Sequence, residues 1–200
     1  MFTGIVQAQG NIKEIRSSNK GAVFVLNSDS LDLSDVSIGD SIAVNGVCLT
    51  VTQLDDISFS SEISQETLNC TTFSQLKKGQ NINLEKSLQL DKGIDGHLVS
   101  GHVDGVGKVT SITIEGESAR MKIKVDDNLV KYIAKKSSIC INGVSLTVNE
   151  IDGNVFGVNI IPHTFSFTTL GELKVNSQVN IEIDIIARHI EQLLNHKTSA

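Results

Sequence analysis

Cys48, His102 and Asp184 are the residues of this 200-residue sequence whose types and settings best suit chemistry. Cys48 stands two positions past the Asn45-Gly46 pair. A thiol just beyond a tight turn can act as nucleophile or hydrogen-bond donor, although a free cysteine is more often a small buried hydrophobe. His97 and His102 lie in Gly96-His97-Leu98-Val99-Ser100-Gly101-His102-Val103-Asp104-Gly105, and a histidine suits proton transfer near neutral pH. On a strand His102 and Asp104 share one face and His97 takes the other, so the spacing does not support a three-ligand metal site. The glycines of this run also lack the spacing of a nucleotide-binding loop. Asp184 alternates with Glu182 on one strand face. A solvated strand carboxylate is the plain alternative for it, and Lys136 has the same alternative as a solvent-facing lysine.

These residues sit on a duplicated frame. Ser41-Ile42-Ala43-Val44-Asn45-Gly46-Val47-Cys48-Leu49-Thr50-Val51 recurs 97 positions later as Ser138-Ile139-Cys140-Ile141-Asn142-Gly143-Val144-Ser145-Leu146-Thr147-Val148. Positions 39–86 and 136–183 share 18 identities in 48, without a gap, where unrelated segments would share about three. The same offset carries Gly4 onto Gly101, Thr67 onto Thr164, Asn83 onto Asn180 and Glu85 onto Glu182. Cys48 meets Ser145 and Asp184 meets Ser87, so the thiol and the acid break the symmetry. The repeated hydroxyls of Ser41, Thr50, Thr67, Ser138, Thr147 and Thr164 are ordinary sheet residues that can also line two related pockets. The expected division is two homologous halves, 1–97 and 98–186, and a tail at 187–200.

The local pattern reads as strands. Asn-Gly between apolar runs is a hairpin signal, because both turn positions need positive φ, and it occurs at 45–46 and again at 142–143. Ile82–Glu85 and Val179–Ile185 alternate apolar and polar residues, as half-buried strands do. About six strands per half, with few helical stretches, predict an all-β chain of two antiparallel barrels, since closure removes open edges. Short helices are expected at 29–35, 68–76, 127–134 and 165–173. In the tail Ile186, Ile190, Leu193 and Leu194 form one helical face, which must pack on its own chain or on a partner subunit.

Composition narrows the function. A net charge of −6 argues against a nucleic-acid protein. The longest apolar runs fall far short of the roughly 20 residues of a membrane span. No secretory signal is visible at the N-terminus. Three widely spaced cysteines fit a reducing cytosol rather than a disulfide scaffold, so a cytoplasmic location is expected.

Four stretches then resemble the riboflavin synthase alpha chain family in order and spacing: Met1-Phe2-Thr3-Gly4-Ile5-Val6, Asn45 to Val51, Gly96 to Gly105, and Asn142 to Val148. The resemblance runs from Met1 to about Leu194. It implies two six-stranded Greek-key closed barrels and a C-terminal helix. It implies a homotrimer in which the N-terminal barrel of one subunit meets the C-terminal barrel of the next at the active site. The implied reaction is dismutation of two molecules of 6,7-dimethyl-8-ribityllumazine, donor and acceptor alike. It yields riboflavin and 5-amino-6-ribitylamino-2,4(1H,3H)-pyrimidinedione by four-carbon transfer, a transferase activity needing no cofactor and no metal. Docking with a separate lumazine synthase is left open.

Carried over by motif, Cys48 and His102 fall on catalytic positions of the first barrel, with Asp184 polarising a water or hydroxyl across the interface. Met1, Thr3, Gly4, Ile5, Val6, Ser41, Thr50, Glu66, Thr67, Gly101 and Val103 fall on substrate-binding positions. Lys136, Ser145, Thr147, Ile161, Pro162, His163 and Thr164 fall on those of the second barrel. The chain departs from the family at Asn69-Cys70-Thr71-Thr72-Phe73-Ser74 and at His163-Thr164-Phe165-Ser166-Phe167, where arginine-containing stretches are usual, and at Asp95. Lumazine proteins of luminous bacteria share this fold, bind one lumazine or flavin and catalyse nothing. They are the alternative reading, and this chain differs from them in keeping His102, Cys48 and the Gly96–Gly105 run.

Overall fold

The 97-residue offset builds two sheets of the same design in a computed structural model that describes residues 1–18, 20–28 and 30–198. The first half runs β1 (Ala8–Ser18), β2 (Gly21–Asn27), β3 (Ser41–Val44), β4 (Val47–Thr50), β5 (Gln53–Leu54), β6 (Ser58–Ser64), helix α1 (Gln65–Cys70) and β7 (Asn81–Lys86). The second runs β8 (Gly105–Glu115), β9 (Ser118–Lys124), α2 (Asp127–Val130), β10 (Ser138–Ile141), β11 (Val144–Asp152), β12 (Val155–Ile160), α3 (Pro162–Phe167) and β13 (Gln178–Ile183). Helix α4 (Ile185–Thr198) follows. All strand pairs are antiparallel, and β13 lies between β8 and β10 while β12 returns to β9, a Greek-key path.

Only the second half is a closed six-stranded barrel, in the order β10-β11-β12-β9-β8-β13. The first half is a seven-stranded sheet, β4-β3-β7-β1-β2-β6-β5, whose ladder does not close, which corrects the expectation of two closed barrels. The difference is local. Strand β11 passes its bulge between Val148 and Glu150 and continues, whereas the equivalent chain breaks between β4 and β5. Both halves tie this point down alike, Val51 donating its N–H to Asp40 O at 2.8 Å and Val148 to Ser137 O at 3.0 Å, and in the first half Thr52 also donates to Ser60 O at 2.8 Å.

Two of the expected helices are each split, into α1 and α3 and a following 3-10 turn at Thr72–Gln75 and Thr169–Glu172. Thr71 ends α1 by donating its hydroxyl to Thr67 O (2.6 Å) while accepting from Phe73 N, and Thr168 does the same after α3 with Thr164 O at 2.7 Å and Leu170 N. The expected helix at 127–134 is shorter, Asp127–Val130. None forms at Ser30–Asp35, Asp29 lying outside the described residues. Here the Asp32 carboxylate accepts from Ser34 N–H at 2.9 Å and diverts the backbone into turns, with Leu31 and Leu33 turned into the core.

Each half has its own apolar core, with Ile42, Val44, Val47 and Leu49 in the first and Ile139, Ile141 and Val144 in the second. Buried asparagines join the halves with pseudo-twofold symmetry. Asn83 Nδ2 donates to Asn142 O (2.9 Å) and its Oδ1 accepts from Thr169 N (2.8 Å). Asn180 Nδ2 donates to Asn45 O (2.9 Å) and its Oδ1 accepts from Thr72 N (2.8 Å). The turns of the two Asn-Gly hairpins meet back to back, so closely that a Cβ on Gly46 would lie 2.7 Å from Gly143 N.

Asn83→Ala would orphan a buried carbonyl and a buried N–H, each costing about 1–3 kcal/mol. The expected loss is about 2–4 kcal/mol in urea unfolding, matched by Asn180→Ala within the scatter of such measurements. A loss below about 0.5 kcal/mol, the range of an ordinary surface change, would show that the asparagines do not hold the halves together.

Candidate functional site

The hairpin registers decide which side chains can meet a ligand. Ser41 pairs with Thr50 and Ala43 with Cys48 across β3–β4, and Ala43 also pairs with Glu85 on β7. Directly opposed residues share a sheet face. Because Ile42, Val44, Val47 and Leu49 fill the core, Ser41, Ala43, Cys48, Thr50 and Glu85 lie on the outer face of the sheet. The second half repeats the row: Ser138 opposite Thr147, Cys140 opposite Ser145, and Glu182 beside Cys140.

Two extended straps run between these outer faces. Phe2 and Val99, equivalent under the repeat, exchange backbone hydrogen bonds of 2.7 and 3.1 Å. In the first strap Thr3 N and Oγ1 both donate to Glu85 Oε1 at 2.7 Å, and Gly4 N donates to Oε2 at 3.1 Å. In the second, Ser100 N and Oγ donate to Glu182 Oε1 at 2.6 Å, and Gly101 N donates to Oε2 at 3.0 Å. Burial pushes both carboxyls above the ordinary carboxylate range, and the strap donors pull them back.

The straps cross over. Gly4, held by the first half, accepts from Ser145 N of the second at 2.7 Å. Gly101, held by the second half, accepts from Cys48 N of the first at 2.8 Å. Both glycines have left-handed backbones, at φ 75 and 80. A Cβ on Gly4 would lie 2.7 Å from Ser145 Cβ, and one on Gly101 would lie 2.5 Å from Cys48 Cβ. Phe2, wholly buried, fills the space between the halves with Ala43, Val99, Cys140 and the half-buried Cys48.

The chain is similar to known proteins over nearly its whole length. A family model described as "Lumazine binding domain" matches residues 3–87 and again 100–184, so each match begins at the residue that donates to the buried glutamate. A riboflavin synthase of Photobacterium phosphoreum is 47% identical over 194 residues, 97% of this chain and 89% of that protein. One from Bacillus subtilis is 37% identical over 199 residues, 100% of this chain and 92% of that protein. The chain belongs to the riboflavin synthase family. Among solved structures, LumP complexed with riboflavin superposes with a TM-score of 0.85 at 32% identity, over 92% of this chain and 99% of that one. LumP complexed with 6,7-dimethyl-8-(1'-D-ribityl) lumazine superposes with a TM-score of 0.83 over the same shares.

Against this riboflavin synthase frame, the site residues named from sequence fall into two groups. Cys48 lies against Gly101, with His102 exposed on the next residue and Val103 half-buried beyond it. Ser41 and Thr50 continue the outer face, while Glu66 and Thr67 stand on α1. The Glu66 carboxylate accepts from the Cys70 thiol at 3.1 Å, a contact created by the departure at 69–74. Ser145 lies against Gly4, with Met1 and Ile5 exposed nearby on the strap and Val6 half-buried. Thr147 follows on β11, and Ile161 caps α3, which carries Pro162, His163 and Thr164. His163 stacks on Phe167 with ring centroids 4.3 Å apart, so the first and last residues of the departure at 163–167 are tied to each other. Asp184 Oδ1 accepts from Ile186 N at 2.9 Å and starts α4. Among the described residues no hydrogen bond joins the Cys48 side chain to His102 or Asp184, so one chain presents these groups without assembling them.

Lys136 occupies φ 71, where its repeat partner Gly39 has φ 99. A left-handed backbone costs a lysine about 1–2 kcal/mol, and such strain concentrates at functional positions. Comparing Lys136 with Gly39 under the repeat could have singled it out from sequence.

Sequence reasoning missed Phe2, the paired carboxylates Glu85 and Glu182, and the setting of His97. The glutamates had a visible signal, because each recurs at the 97-residue offset together with a strap hydroxyl, Thr3 or Ser100. His97 lies on neither face of a strand, since residues 96–98 and 100–104 form no ladder.

Proposed function

We propose that this protein catalyses the dismutation of two molecules of 6,7-dimethyl-8-ribityllumazine into riboflavin and 5-amino-6-ribitylamino-2,4(1H,3H)-pyrimidinedione, a transferase reaction that moves four carbons. The observation that carries the reading is the doubled outer-face row, Cys48 beside Gly101 in one half and Ser145 beside Gly4 in the other. Two related ligand surfaces per chain suit a reaction that joins two copies of one compound. Because donor and acceptor are the same compound, the reaction needs no outside oxidant or reductant. The ligand bound in the LumP structure is the proposed substrate.

In this reading His102 carries the proton and Cys48 acts as donor or as aid to the nucleophile. Asp184 polarises a water or hydroxyl. Ser41, Thr50, Glu66 and Thr67 hold one lumazine, and Lys136, Ser145, Thr147, Ile161 and Thr164 hold the other, so that binding brings the rings together. The units are 1–97, 98–186 and an oligomerisation helix with its tail at 187–200, residues 199 and 200 lying outside the described residues. The tail supports a homotrimer with each site formed between subunits. Helix α4 is pinned at Asp104 by Arg188 and at Lys131 and Tyr132 by Glu191. It leaves Ile186, Ile190, Leu193 and Leu194 between 51% and 66% exposed, an apolar face suited to a second copy. A cytoplasmic setting belongs to the same proposal.

The test supplies the purified protein with 6,7-dimethyl-8-ribityllumazine alone and follows products by chromatography. Equal amounts of the two products are expected, and His102→Ala and Cys48→Ala are expected to lower the rate by about 100-fold and about 10-fold, within the usual reach of proton-transfer groups. The second reading, a non-catalytic lumazine carrier, is favoured by the likeness to LumP. Tight binding without turnover would establish it instead.

A further inference from the structure

His97 is the one buried titratable side chain of the straps that the proposed chemistry leaves unused. It is 9% exposed. Its Nδ1 lies 2.7 Å from Ser145 Oγ, and its Nε2 is buried with no partner among the described residues. Its backbone N–H donates to Thr3 O at 3.1 Å, so both straps hold it in place. A buried unpaired ring nitrogen costs about 1–3 kcal/mol, which a side chain serving only to fill space would avoid.

The symmetry of the chain sharpens the point. Ser145 occupies the position of Cys48, and Asp184 occupies that of Ser87. The Ser145 hydroxyl thus has an imidazole against it and, near that imidazole, a carboxylate that the first half lacks at the matching position. Burial pushes the imidazole below the ordinary histidine value, and the Asp184 carboxylate pulls it back up. A neutral imidazole hydrogen-bonded to a hydroxyl, with a carboxylate nearby to offset a positive charge, is an arrangement for taking a proton through that hydroxyl.

We propose that Ser145 and His97 form a proton relay that deprotonates the C7 methyl group of the lumazine bound on the second half. This deepens the dismutase reading and rests on it for the identity of the ligand. In the step a methyl C–H bond breaks and its proton bonds to Ser145 Oγ. The hydroxyl's own proton passes to His97 Nδ1. The electron pair left on carbon is delocalised over the ring as an anion, and the imidazolium faces Asp184. Ser145 touches the substrate, while His97 acts through it.

The experiment places the protein and 6,7-dimethyl-8-ribityllumazine in deuterium oxide and follows loss of the C7 methyl signal by proton NMR, with riboflavin measured in parallel. Wild type is expected to exchange the methyl protons faster than buffer does. Ser145→Ala and His97→Asn are each expected to lower the protein-dependent exchange by about 100-fold, with no further loss in the double variant. The dissociation constant for the lumazine, read by fluorescence titration, is expected to change less than about threefold, well under 1.4 kcal/mol. Asn places an amide oxygen near the position of Nδ1 and keeps the hydrogen bond to Ser145 without being able to take up the proton. Exchange retained in His97→Asn would therefore reduce the imidazole to a scaffold and overturn the relay. A loss of exchange no larger than the loss of bound lumazine would overturn it as well. Should His97→Asn fail to fold, Ser145→Ala decides, since it leaves the imidazole in place. Exchange that depends on His97 in a protein making no riboflavin would sustain the relay and remove the dismutase reading. Riboflavin formation with no accelerated exchange in wild type would do the opposite.

Discussion

Phe2→Ala is expected to cost about 3–5 kcal/mol and to abolish turnover. Phe2 is wholly buried, yet it belongs to the core of neither half; its neighbours are Ala43, Val99, Cys140 and Cys48 at the joint between the halves. Its backbone pairs with Val99 in both directions, so it fixes the first strap and the second together. A cavity there loosens the support of Gly101 under Cys48 and of Gly4 under Ser145, while Ile12, Phe24 and Phe59 in one core and Met121, Ile123 and Phe156 in the other remain packed. Turnover should therefore be absent even at low urea, where both cores remain folded. Phe2→Leu, closer in volume, is expected to cost about 1.5 kcal/mol or less and keep most activity. Urea unfolding and product formation measured on both variants check this. Full turnover in Phe2→Ala would show that the straps hold without it.

Gly101→Ala is the second large effect, expected at about 2–4 kcal/mol with at least a tenfold loss of turnover per folded molecule. Two causes add. The residue sits at φ 80, where a side chain costs about 1–2 kcal/mol. Its new Cβ would also meet Cys48 Cβ at 2.5 Å, Cys48 N at 2.9 Å and Phe2 Cε2 at 2.9 Å. None of these is the free end of a flexible side chain, so the strap must move off Cys48. Gly79→Ala separates the two causes. Gly79 has φ 83 and nothing within 4 Å of a built Cβ, and its repeat partner Asn176 already tolerates φ 77. That change should cost about 1 kcal/mol and leave turnover per folded molecule unaltered. Equal losses of turnover in the two variants would mean that the Cys48 contact is not what Gly101 is needed for.

The legible parts of the fold were those written locally and written twice. Asn45-Gly46 and Asn142-Gly143 adopt the positive φ values that their hairpins require, 46 and 79 in one and 48 and 81 in the other. The helical face of Ile186, Ile190, Leu193 and Leu194 lies on α4. Helix ends were less legible, because a threonine hydroxyl at 71 or 168 competes for backbone groups in a way that apolar periodicity does not register. The break between β4 and β5 was not legible at all. The matching stretch of β11 is continuous, and Val51 and Val148 are the same residue type.

Residue types, the 97-residue duplication and the turn signals were sufficient to establish an all-β chain of two like halves with a helical tail. They also placed Cys48, His102, Ser145 and Asp184 at corresponding or symmetry-breaking positions. Those properties depend on neighbours a few residues apart, or on one segment repeating another. Tertiary contact decided the rest: that the polar rows face outward, that Thr3 reaches Glu85 across 82 positions, that each strap crosses to the opposite half, and that His97 is buried against Ser145. Such pairings are set by which buried carboxylate or hydroxyl lies within hydrogen-bonding distance once two cores have packed. No local pattern of residues encodes that distance.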